Sequence, residues 1–476
     1  MRKIMLAATA IAGLGLTGGA FAQTSPQPVN STFFAPPVGP NISWTPFNDM
    51  RVATPDAGTV NVYVNGKVYT GIEAGSDSGS GGAGNNGSKI NPIGIFAAMR
   101  LYFGFDATSA AGLQYGALAE IRQFYDAQYQ NGGAANPTQV RRERVYVATP
   151  TAGKVLLGVT DGPLGTLITG DSTASNMDGG IGGWQADNVQ ARTRTTILNY
   201  PLASQSGEYM SNKLVYQSPN WSGLEFGLSY EPNLQGGEGY CEYNNSVGNC
   251  NQVSSVSNNS VALASAGVLV NTKVTGATLL GVAGNRENTF EAAARYSAAF
   301  GPAKVKVEVG TWQSGVVTNN TTTANRATNG LDALDAGFSV TAFNLTIGAH
   351  YMGGDVSATD GPLPAGAKKS TFLTGEVIYT IGPVGIGAGF VNWNSNPNVN
   401  PIKTSGYGEL HEIGEMVGAF YDFAPGAQLF FTGEYGTRHA VNYNLLTGAT
   451  GGATAGSNLH NLVQARTAAT GFIFNF

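Results

Sequence analysis

Strict two-residue alternation, sustained over many segments of 10 to 15 residues, restricts the fold of this chain more than any other feature. From Val60 the even positions read Val60, Val62, Val64, Gly66, Val68, Thr70 and Ile72. The odd positions read Asn61, Tyr63, Asn65, Lys67, Tyr69, Gly71 and Glu73. Successive side chains of an extended backbone point to opposite faces, so this segment is a strand with one apolar and one wet face. The pattern returns where Ile93, Ile95, Ala97, Met99, Leu101, Phe103 and Phe105 oppose Arg100, Tyr102 and Asp106. It returns again where Val145 and Val147 oppose Arg142, Arg144 and Tyr146, and where Val305, Val307 and Val309 oppose Lys304, Lys306 and Glu308. A soluble sandwich also alternates, but its strands run nearer 5 or 6 residues. About 10 residues tilted by about 45° cross the hydrocarbon layer of a membrane, which is the length found here. Beyond the N-terminus there is no long apolar run, which excludes membrane helices. Tyr230, Tyr351, Tyr379, Tyr421 and Tyr435 near strand ends fit interfacial belts.

Two kinds of connection alternate. The short ones are Ala107 to Gly112, Pro150 to Gly153, Ser218 to Ser222, Phe300 to Ala303, Ala342 to Asn344, Ile381 to Pro383 and Phe423 to Gly426. The long, Gly/Asn/Ser-rich ones are Gly75 to Ile90, Gln128 to Gln139, Asp161 to Gly207, Glu231 to Glu287, Ser314 to Asn329, Gly354 to Lys369, Asn394 to Gly408 and Ala440 to Leu462. Seven short turns and eight long loops join sixteen strands. Lipid offers no hydrogen-bond partner to an open sheet edge, so the sheet must close. The expectation is an all-β, transmembrane, antiparallel up-and-down barrel of sixteen strands, with turns on the periplasmic side and loops outside. It becomes eighteen strands if the fourth loop holds a further hairpin near Ser260 to Val282.

The ends of the chain read differently. Arg2 and Lys3, an apolar stretch from Ile4 to Leu16, and Ala20-Phe21-Ala22 form the pattern of a secretory signal peptide over residues 1–22. Residues 23–57 form a Pro-rich extension, with Pro26, Pro28, Pro36, Pro37, Pro40 and Pro46, that cannot enter a ladder as a central strand. It is expected to lie in the periplasm or in the lumen, with Trp44 and Phe47 as docking groups. The barrel spans 58–476. Charged residues make up 12% of the chain, about half the share usual in a soluble protein. Removing Arg2 and Lys3 leaves 23 basic against 30 acidic residues, a net charge of -7 with no basic cluster to bind nucleic acid.

Several segments carry a resemblance. "RERVYVATPTAGKVLLGV" (Arg142 to Val159), "DGPLGTLITGD" after it, "SNKLVYQSPNWSGLEFGLSYE" (Ser211 to Glu231) and the terminal "GFIFNF" occur in the order found in general Gram-negative porins of the sixteen-stranded, trimeric kind. The chain resembles that family over roughly residues 58 to 476. It departs from it in the Pro-rich extension and in the length of the fourth loop. The resemblance implies a water-filled channel for passive diffusion of small hydrophilic solutes and ions. It also implies an outer-membrane location among lipids and lipopolysaccharide, a homotrimer, and a third loop folded inward as a constriction. The face of Phe472, Phe474 and the terminal Phe476 is similar to the signal read by the barrel-assembly machinery.

Such a pore filters through its diameter and its lining charges. The third loop offers Asp161, Asp171, Asp178 and Asp187, and ends near Arg192 and Arg194. Wet-face strand positions supply Arg100, Arg122, Arg142 and Arg144. Set across a narrow aperture, these groups make a transverse field; paired with one another, they simply solvate the lumen. Cys241 and Cys250 in the fourth loop form a small disulfide after export, or stay as thiols. His350, His411, His439 and His460 form no compact Ser/His/acid motif, and no metal-ligand spacing or phosphate loop is present. No enzyme activity and no cofactor are expected. A substrate-selective channel with a lumenal binding site and a closed barrel for adhesion or structure remain the other readings.

Overall fold

The computed structural model describes residues 55–77, 93–123, 138–172, 211–234, 286–316, 330–356, 363, 368–395, 410–440 and 462–476. The first quarter of the barrel comprises β1 (Thr59–Asp77), β2 (Ile93–Thr108), β3 (Gln114–Gln123) and β4 (Thr138–Thr149). Next come β5 (Gly153–Thr160), a short helix α1 (Pro163–Leu167), β6 (Ser211–Gln217), β7 (Leu224–Leu234) and β8 (Arg286–Phe300). Then follow β9 (Ala303–Val316), β10 (Asp332–Ala342), β11 (Leu345–Gly354) and β12 (Ser370–Ile381). β13 (Val384–Ser395), β14 (Leu410–Ala424), β15 (Ala427–Ala440) and β16 (Leu462–Asn475) complete the chain.

Each strand pairs antiparallel with its sequence neighbours, and β1 pairs with β16, so the sheet is a closed barrel. The sixteen described strands close the barrel among themselves, and the segment Ser260 to Val282 lies outside the described residues. All seven expected short turns join consecutive strands, and the eight longer connections fall between the remaining pairs. The chain's last residue completes the seam. Phe476 accepts a bond from the Gly66 amide at 2.9 Å and donates its own to the Gly66 carbonyl at 3.0 Å.

Alternation sorts the side chains as the period requires. On β1, Val62 is 80% exposed on the outside while Lys67 is wholly buried inside. The outward band of Val, Ile, Leu and Phe is the surface that lipid covers. Aromatic residues flank it: Tyr296, Tyr379, Tyr421 and Phe474 near the short turns, and Tyr230, Tyr351, Phe390 and Tyr435 toward the loops. The inner face is not uniformly polar. Trp312, Met352, Phe372, Val391 and Trp393 belong to an apolar cluster on the inner wall, joined by Leu164 and Leu167 of α1.

Candidate functional site

The lumen is organised by the segment that follows β5. Pro163 at the first helical position, with its φ preset, starts a single turn of helix whose Thr166 amide donates to the Gly162 carbonyl. All five residues of α1 are buried against the inner wall of β7, β8 and β9. Arg295 of β8 reaches the Leu167 carbonyl at 3.4 Å and so meets the helix C-terminus. Beyond it the chain crosses β10 to β12. A Cβ at Gly337 would lie 2.1 Å from the Thr169 carbonyl oxygen, and one at Gly170 2.2 Å from that of Ala349. Backbone therefore packs directly on backbone. The Ser172 amide and hydroxyl both donate to Glu376 of β12, the hydroxyl at 2.5 Å. Residues 161–172, the start of the third loop, thus fold inward and run along the barrel wall from β5 to β12.

At its start lies a charge network. Glu120 stands beside Arg142 in the β3–β4 register. Arg142 donates to Glu120 and to both oxygens of Asp161, at 2.8 and 2.9 Å. Arg144 is 3.6 Å from Asp161, and Arg100 is 3.9 Å from Glu120. All five side chains are buried. Tyr146 donates to Asp106 on the same wall, and the Lys154 ammonium lies 4.2 Å over the Tyr146 ring. The arginines therefore do not stand as isolated cations. They bracket two carboxylates, one of which anchors the loop. Arg122 is described by its backbone alone, beside Arg100 in the register.

Across the lumen the sign reverses. Glu308, Asp335, His350 and Glu376 are buried on β9 to β12 beneath residues 169–172, and Asp171 is within electrostatic reach of His350 and Glu376. The acids of this wall escaped sequence reading because they come from three strands; only their wet-face parity was visible. Further buried ion pairs join Lys213 to Glu291 at 2.8 Å, Arg295 to Glu225 at 3.1 Å, and Arg438 to Glu412 at 2.6 Å. Among the expected site residues, Asp178, Asp187, Arg192, Arg194, Cys241 and Cys250 lie outside the described residues. Phe472, Phe474 and Phe476 project outward on and just after β16, with the Phe472 and Phe474 rings stacked at 6.1 Å.

A closed sixteen-stranded barrel with an ionised lumen and an inward loop defines a membrane pore. The family model for Gram-negative porins matches residues 7–443, and the chain belongs to that family. It is an outer-membrane channel for passive diffusion. Among solved structures it is similar to the anion-selective porin from Comamonas acidovorans, with 14% identity, 88% of this chain and 100% of that chain covered, and a TM-score of 0.49. It is also similar to a triple mutant of Rhodopseudomonas blastica porin, with 14% identity, 87% and 100% covered, and a TM-score of 0.44. No curated protein matches it in sequence.

Proposed function

We propose that this porin passes small hydrophilic solutes and ions without catalysing any reaction, through a constriction bounded by the third loop. The observation that carries this reading is the polarity of the lumen. On β2 to β5 the cations Arg100, Arg142, Arg144 and Lys154 outnumber the acids Asp106, Glu120 and Asp161 beside them, while Glu308, Asp335 and Glu376 lie on β9 to β12. Opposite walls of opposite sign make a transverse field, which orients polar solutes and hinders apolar ones. Because the two signs offset, selectivity is weak. It leans toward anions, because the loop backbone covers the acidic group. The net charge of -7 contributes little, since fields fade beyond a Debye length of about 8 Å at physiological salt.

In the same reading residues 1–22 direct export through the general secretory pathway and are removed. The barrel-assembly machinery reads the face of Phe472, Phe474 and Phe476, and the mature chain forms a homotrimer among lipids and lipopolysaccharide. The two cysteines bridge within the fourth loop. Planar-bilayer reversal potential in a salt gradient tests the pore electrostatics. Replacing Arg122 and Arg142 by Ala moves the reversal potential toward cations. No shift, or one toward anions, places the selective charges elsewhere.

A further inference from the structure

Beneath residues 169–172, one carboxylate or imidazole from each of three adjacent strands converges. Donor atoms of Glu308 on β9, Asp335 on β10 and His350 on β11 all lie within 4.8 Å of one another. All three residues are at most 1% exposed. His350 Nε2 stands 3.1 Å from Asp335 Oδ2, near enough for an ion pair but not aligned as a hydrogen bond. A second observation is independent of this proximity. Both oxygens of Glu308 and both of Asp335 are buried with no donor aligned on them, their polar neighbours being each other, the His350 ring and the Thr169 hydroxyl. The donors nearest Glu308 make their aligned bonds to other groups. The Thr169 hydroxyl donates to the Leu167 carbonyl at 2.9 Å. Arg295 faces Glu308 in the β8–β9 register but pairs with Glu225 at 3.1 Å.

We propose that Glu308, Asp335 and His350 bind a divalent first-row transition-metal ion that ties three strands of the barrel wall together beneath the start of the third loop. Two buried carboxylates with no aligned donor carry a large desolvation cost that one neighbouring imidazole offsets only in part, and one divalent cation offsets both charges. An imidazole nitrogen among the ligands favours Zn²⁺ over the all-oxygen shells of Ca²⁺ and Mg²⁺. Bonds of about 2.0–2.2 Å to nitrogen and oxygen need ligand atoms roughly 3.3 Å apart in a tetrahedron. The loop sits directly on this site: a Cβ at Gly337 would meet both the Thr169 carbonyl oxygen, at 2.1 Å, and His350 Cδ2, at 2.7 Å. A bound ion therefore removes the repulsion between like charges under the loop and ties three strands together at its docking point.

The test uses the purified full-length protein in detergent, exposed to micromolar Zn²⁺ and desalted. Elemental analysis should find about one zinc per chain in the wild type, and the combined variant Asp335→Asn with His350→Gln should lose it. The outward pair His411 and His439, which face each other across β14 and β15, is the competing site. Replacing both by Gln should leave the zinc in place. Zinc X-ray absorption on the wild-type protein reads the shell without any variant, and one imidazole with oxygen neighbours is the expected result. An absence of retained zinc, a two-imidazole shell, or loss of zinc only in the variant lacking His411 and His439 would overturn the proposal.

Discussion

Arg142 holds its place through three carboxylate contacts from a side chain that is 2% exposed. A guanidinium that forks toward Asp161 and also reaches Glu120 satisfies two buried charges with one residue. Truncating it leaves both acids uncompensated, which typically costs about 3–5 kcal/mol. Arg142→Met should lower unfolding stability by that order in urea titrations from lipid vesicles. Adding Asp161→Asn should recover part of the loss; simple additivity would mean the two do not interact. A contrast within β9 tests the facing of the strand. Val307 projects outward into the apolar band, while Lys306 is on the inner face. Val307→Arg should destabilise the barrel by about 2–4 kcal/mol if it sits near the bilayer midplane, because a cation there meets lipid. Lys306→Ala should have a much smaller effect in the same titration, and equal effects would reverse the assigned faces.

Among the elements, the third loop depends on backbone geometry that few residues permit. Gly170 has a φ of +82°, and a Cβ there would lie 2.2 Å from the Ala349 carbonyl oxygen and 2.4 Å from that of Phe338. The left-handed conformation and the lack of space both require glycine. Gly170→Val should lift the loop off β10 and β11 while the closed sheet, which does not depend on it, survives. Single-channel conductance should rise and become noisier. An unchanged conductance would mean that this part of the loop does not bound the aperture.

For the molecule as a whole, the main device is closure. Every backbone group in the lipid layer must be satisfied within the sheet, and pairing β1 with β16 removes the last edge. What fills the interior then decides the conducting state. Residues 23–57 were expected to lie in the periplasm or the lumen, and all but 55–57 fall outside the described residues. Deleting Thr24 to Asn48 distinguishes the two placements by bilayer recording. A larger conductance supports a segment lying in the channel, and an unchanged one supports a periplasmic linker.

The period of two determined most of the architecture locally, because a strand that separates lipid from water must alternate and must span a fixed thickness. That is why strand number, turn positions, the facing of Val62 against Lys67 and the outward set of Phe472, Phe474 and Phe476 were legible without coordinates. Alternation also assigned Arg100, Arg142 and Arg144 to the wet face, but not what they touch. Partnership is a matter of register between strands and of where a loop folds back. Only the tertiary structure shows Arg142 bracketed by Glu120 and Asp161. The same holds for the acidic wall. Glu308, Asp335, His350 and Glu376 are dispersed over nearly 70 positions, and no spacing rule joins them. Parity alone would fill the inner face with polar groups, yet Trp312, Phe372 and Trp393 lie there. Their neighbours are brought together by the curvature of the closed sheet, a long-range property that no local pattern encodes.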